Sequence, residues 1–152
     1  MPLAFILVVM IALMSSFWQS ETSAAQAEVK LTSEAQAVAA NMLAYQQYIN
    51  TYVSYRNAAG QTPNRARYQS FHGNALELIS AADAAGDKPE NVMTWFKGPM
   101  PGVTGVIEAG ELHLYYKPIS SAHASQRGVQ AELLRITKGS FGVGKSTLSP
   151  PG

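Results

Sequence analysis

Only one string in the chain has the spacing of a catalytic motif. Gly139-Ser140-Phe141-Gly142-Val143-Gly144-Lys145-Ser146 fits G-x-x-x-x-G-K-[ST], the phosphate-binding loop. Such a loop wraps phosphates with backbone N–H groups. Its lysine reaches the outer phosphates, its hydroxyl ligates magnesium, and a helix starts there to aim its dipole at the charge. Leu134-Arg135-Ile136-Thr137 could serve as the preceding strand. The helix cannot follow, because only Thr147-Leu148-Ser149-Pro150-Pro151-Gly152 remains and two prolines forbid a helix interior. The string is therefore expected to be a coincidental match, and no nucleotide is expected there.

Other reactive groups are more scattered. His72, His113 and His123 have no ligand-like spacing, so no metal is expected. Glu108 and Glu111 flank a turn, where exposed carboxylates are normal. The serines include no G-x-S-x-G. Cysteine is absent, which excludes a disulfide framework, a zinc-thiolate site and a thiol nucleophile. Tyr45, Tyr48, Tyr52 and Tyr55 invite an aromatic ligand site, but packing with hydroxyls at the rim is the expected role. The chain is read as a non-enzyme with no cofactor.

With no reaction to position, the elements themselves become informative. The 152 residues allow one small domain, and charged residues make up only 14% against about 25% in an ordinary soluble domain. A net charge of +1 argues against nucleic-acid binding. The apolar excess sits at the front, where residues 1–20 carry no charge. Leu3, Phe5, Ile6, Leu7, Val8, Val9, Ile11 and Leu13 lie in an uninterrupted apolar run, followed by Phe17 and Trp18. As a helix this segment reaches about 27 Å, near the thickness of a bilayer core. It is read as a membrane anchor in contact with lipid, with Trp18 at the interface. A cleaved signal peptide is the rival, on the small-x-small site Ala25-Gln26-Ala27, and a buried core helix is the third reading. Against the signal peptide, no Lys or Arg precedes the run. The simplest topology is a single pass with the C-terminal domain outside.

From Ser20 to Ala59 there is no Pro or Gly and alanine is frequent, which predicts one long helix with residues 21–59 as its amphipathic continuation. Leu31, Ala35, Val38, Met42, Tyr45, Ile49 and Tyr52 recur in alternating steps of four and three, a heptad stripe. Gly60 is expected to stop it. Residues 60–152 then form a small α+β domain. Gln61-Thr62-Pro63-Asn64 reads as a loop. Arg65 to Ala85 reads as a second helix, weakened at Gly73, with Leu76 and Ile79 on one face. Val92 to Phe96 reads as a short segment entering the core. Val103 to Glu108 and Glu111 to Lys117 flank Ala109-Gly110 as a hairpin, with Leu112, Leu114 and Tyr116 on its buried side. Ser120 to Thr137 reads as a helix with Val129, Leu133 and Ile136 on one side. Phe141-Gly142-Val143 against Ser146-Thr147-Leu148 is a possible last hairpin.

The heptad face is the expected working surface. Tyr45, Ile49 and Tyr52 are expected to be covered by the domain. Leu31, Ala35 and Val38 are expected to serve self-association or a partner, with the hairpin around Glu108 to Glu111 as the next surface.

A resemblance carries the reading further. The apolar start, Asn41-Met42-Leu43-Ala44-Tyr45, the segment Trp95 to Gly102, the hairpin Val106 to Tyr115 and the ending Glu132 to Gly144, closing with Leu148-Ser149-Pro150, resemble the small PilM proteins of type IVb and thin-pilus operons. The resemblance implies a non-catalytic inner-membrane component of the pilin-transport or pilus basal-body apparatus. Its domain would be periplasmic, and its partners other pilus-assembly proteins or itself. A minor pilin or pseudopilin is the alternative, although a basic leader and an early acid are missing before Glu21. A secreted small hydrolase with a cleaved front is the alternative of another class.

Overall fold

The computed structural model describes residues 31–90 and 96–138. The anchor at 1–20, most of the Val92 to Phe96 segment, the phosphate-loop match at 139–146 and the last hairpin lie outside the described residues. The fold is α+β, with four helices and a three-stranded antiparallel sheet. Helix α1 covers 31–53, followed by α2 (Pro63–Ser70), β1 (His72–Asn74), α3 (Ala75–Ala84), β2 (Val103–Glu108), β3 (Glu111–Tyr116) and α4 (Gln126–Thr137). The sheet order is β1-β2-β3. Among the described residues no helix is long and apolar enough to cross a membrane.

Helix α1 is the spine. Its 4-3 stripe turns one face inward, so Ala35, Val38, Met42, Tyr45, Ile49 and Tyr52 are all buried in one core with Leu78, Val103, Ile107 and Val129. The helix ends well before Gly60. The Ser54 hydroxyl donates to the Asn50 carbonyl, which also accepts the Ser54 N–H at 2.9 Å as the last bond of the ladder. Asn57 then builds a tight turn, its Oδ1 accepting from the N–H groups of Ala59 at 3.0 Å and Gln61 at 2.9 Å. Gly60, at φ +75°, serves that turn and not a helix cap.

The single helix predicted from Arg65 to Ala85 is instead two helices with a strand between them, and Pro63 and Asn64, predicted as loop, form the first turn of α2. Pro63 opens α2, where a missing N–H costs nothing. Gly73, at φ +146°, breaks the helical course. There β1 pairs with β2, with Gly73 opposite Ile107. Asn74 ends the strand and caps α3, accepting from the Leu76 N–H at 2.9 Å. The inward face of α3 is Ala75, Leu78, Ile79 and Ala82, while Leu76 faces out. At its far end the Asp87 N–H reaches the Ala82 carbonyl and the Gly86 N–H the Asp83 carbonyl, a Schellman closure with Gly86 left-handed.

The hairpin forms as its alternation predicts, with Glu108 opposite Glu111 and Val103 opposite Tyr116. Its turn residues Ala109 and Gly110 both have positive φ, as a two-residue turn of the I′ kind requires. Leu112, Leu114 and Tyr116 pack against the core. Helix α4 starts later than Ser120, because Ser125 is the cap and accepts from the Gly128 N–H at 3.0 Å. Ser120 is engaged locally, its hydroxyl 2.9 Å from His123 Nδ1. Val129 is buried and Leu133 packs on the core, but Ile136 is exposed.

Helix α1 and the sheet approach closely at Gly105. A Cβ there would lie 2.7 Å from Cε1 of the fully buried Tyr45 ring. Phe96 stacks on the same ring with centroids 5.5 Å apart, which limits its escape. Gly105→Ala should therefore lower stability by about 1–3 kcal/mol, read as a lower urea midpoint with an unchanged slope. An unchanged midpoint would show that the ring has room to move.

Candidate functional site

The sequence-derived interaction face divides differently from the expectation. Tyr45 and Ile49 are fully buried and Tyr52 is 1% exposed, so these three are covered by the domain as expected. Ala35 and Val38 were expected to face a partner, yet each is only 4% exposed. The reason is α4, whose Gly128 presents its missing side chain to the Ala35 methyl, 3.7 Å from an ideal Cβ. Val129 joins Val38 and Met42 in the core beside it. Of the seven stripe residues only Leu31, at 41%, is left open. The anchor residues Leu3 to Trp18 lie outside the described residues.

The groups with catalytic potential do not converge. Glu108 and Glu111 face each other across the turn as exposed residues. His113 Nε2 lies 3.5 Å from Glu111 Oε2 on the hairpin surface, while His72 is on β1 and His123 beside Ser120. Among the described residues no group of three His, Cys, Asp or Glu side chains is placed to hold a metal ion.

The tyrosines do converge. Tyr45 and Tyr48 flank Phe96, and Tyr48 meets Tyr52 edge-on at 5.3 Å. The Tyr52 hydroxyl donates to Asp83 Oδ1 at 2.9 Å, tying α1 to α3. The Tyr45 hydroxyl is buried without a hydrogen-bond partner. Burial, then the neighbouring Tyr48, pushes the Tyr45 phenol up to about 12. Burial and the bond to Asp83 raise Tyr52 further, and burial also raises Tyr68 and Tyr116. Tyr45, Tyr48 and Tyr52 thus pack as one aromatic cluster with Phe96, tied to α3 through the Tyr52 hydroxyl.

Polar residues that the periodicity did not single out hold the framework. Asn41 on α1 acts as a surrogate backbone: its Nδ2 donates to the Gly98 carbonyl at 3.1 Å and its Oδ1 accepts from the Met100 N–H at 2.8 Å. Asn64 is fully buried and donates to the carbonyls of Tyr52 at 3.0 Å and Asp87 at 2.8 Å. Arg67 bridges Asn64 Oδ1 and Asp87 Oδ2 at 2.7 and 2.6 Å. A polar residue among alanines, as Asn41 is, was the available signal. Asn64 gave none, because it sits in a stretch that reads as loop.

With this geometry in hand, the chain matches no family model, no curated protein and no solved structure.

The raised phenols fix an alkaline limit. An unfolded tyrosine ionises near 10, so above that pH the unfolded chain loses protons that the fold retains. The stabilisation is complete below pH 10 and declines as pH rises through about 12. The part of the tyrosinate absorbance that belongs to the buried phenols should rise only together with loss of the helical circular-dichroism signal. A gradual titration of every phenol at ordinary phenol pH with helix retained would contradict this burial.

Proposed function

We propose that the chain is a non-catalytic, membrane-anchored assembly component, acting through protein contacts in a type IVb pilus or its pilin-transport apparatus. Its domain would lie on the periplasmic side of the inner membrane. The observation that supports this most is the union of two features. The uncharged run at 1–20 precedes an unbroken helix-forming sequence, and the α1 stripe locks that sequence to an α+β domain. A lever so fixed transmits position between bilayer and domain without any chemistry. Of the segments that carry the PilM resemblance, Met42, Tyr45, Ile107, Leu112 and Leu114 belong to one core. The reading assigns no nucleotide to Gly139–Ser146.

A minor pilin is the second reading, favoured by one observation, a long helix packed on a small antiparallel sheet. N-terminal sequencing separates the two, because a pilin subunit is processed and an anchor is not.

The protein should remain in the membrane pellet through carbonate washing. Ile6→Arg with Val9→Arg should release or mislocalise it, at about 2.5–3.5 kcal/mol per central charge. Loss of the protein should abolish piliation in a host that depends on it, with rescue by the wild type but not by the double variant. A soluble protein starting near Glu28, or normal piliation without it, would overturn the proposal.

A further inference from the structure

Among the described residues strand β3 is an outer strand of the sheet. In a hairpin closed by two turn residues, the flanking pair exchanges backbone hydrogen bonds and the pattern alternates from there. Glu111, His113 and Tyr115 thus turn their N–H and C=O groups toward β2. The Lys117 N–H continues this by donating to the Gly102 carbonyl at 2.9 Å. Leu112, Leu114 and Tyr116 turn theirs outward. The edge has sharp limits: the Ala109-Gly110 turn closes one end, and Pro118 closes the other at an outward position where it has no N–H to offer.

Within these limits the outward groups are unequally occupied. The Gln126 amide donates to the Tyr116 carbonyl at 2.9 Å, and the Leu112 N–H lies against the Tyr68 hydroxyl. Leu114, at the centre of 111–117, has neither outward group partnered among the described residues. Exposed edges of this kind are templates for another strand.

We propose that β3 is the self-association edge of this protein, and that two copies pair antiparallel through residues 111–117 about a two-fold axis at Leu114. The segment is complementary to itself. With Leu114 facing Leu114 of the second copy, Leu112 faces Tyr116, His113 faces Tyr115 and Glu111 faces Lys117. Every residue of the window is paired, and every outward N–H and C=O meets its counterpart. The charge match selects this register. A two-fold axis at 113 sets Lys117 against the turn at Ala109, and one at 115 carries Glu111 past Pro118. Each leaves both Glu111 and Lys117 without an opposite charge. Glu111 and Lys117 are exposed, and the Glu111 side chain is 77% accessible. A foreign strand would have no reason to meet both charges at the two ends of so short an edge. Pairing displaces the Gln126 amide and the Tyr68 hydroxyl, replacing each with a main-chain partner, and yields one continuous six-stranded sheet. The proposal rests on the sheet edge alone and stands whether or not the pilus reading does.

The test is a charge-reversal cycle on the full chain in detergent solution, with self-association followed by sedimentation velocity. Glu111→Lys and Lys117→Glu should each weaken association roughly tenfold, since each sets like charges opposite one another twice per dimer. The double exchange should restore it. Both sites being exposed, the melting temperature of the dilute protein should stay constant across the four proteins. A wild-type chain that is monomeric at every concentration would overturn the proposal, and so would association indifferent to the single reversals or a double exchange as weak as either.

Discussion

The fold depends on one contact, the inward stripe of α1 pressed against the sheet through Tyr45 and Gly105. A three-stranded sheet with a three-residue edge strand cannot bury its own face. Helix α1 supplies the missing layer with small residues, Ala35 and Val38, toward one end and large ones, Tyr45, Ile49 and Tyr52, toward the other. Gly105 is the concession that lets the largest of these approach. Because the stripe is continuous, α3 and α4 are added to it as flanking supports, Leu78 and Val129 meeting it in the same core.

Polar groups fix the register of these supports. Asn64 and Arg67 tie the end of α1, helix α2 and the end of α3 into one network. Burying the Asn64 amide costs little only because both amide protons and the oxygen are engaged; stripping one partner would leave a deficit of about 1–3 kcal/mol. Asn41 does the same for the chain entering β2, pinning 98–100 against the middle of α1. An apolar stripe alone permits sliding, and these three side chains oppose it.

The sequence revealed what rests on periodicity and little of what rests on local competition. The α+β class, the stripe from Ala35 to Tyr52 and the hairpin from Val103 to Tyr116 follow from 3.5- and 2-residue repeats, and the structure has them. The end of α1 was hidden because the Asn57 side chain draws the N–H groups of Ala59 and Gln61 into a turn, by side-chain chemistry that composition does not rank against helix propensity. Strand β1 was hidden because three residues carry no period, and only its pairing with β2 makes it a strand. The division of the working face failed for a tertiary reason. Nothing local tells that α4 returns to meet Ala35, or that Val38 joins the same core. The open edge of β3 was legible in part, since alternation identified the strand but not which side lacked a neighbour.

If α1 is the spine of the domain and not a detachable stalk, its backbone must open only with the sheet. Native-state hydrogen exchange on the full chain measures this directly. The account predicts that amides from Val38 to Tyr52 exchange with the same opening free energy as those of Val106 and Ile107, all falling together with denaturant. Amides of α1 that exchange freely while β2 stays protected would contradict it, and would make α1 an independent helix resting on a sheet that folds without it.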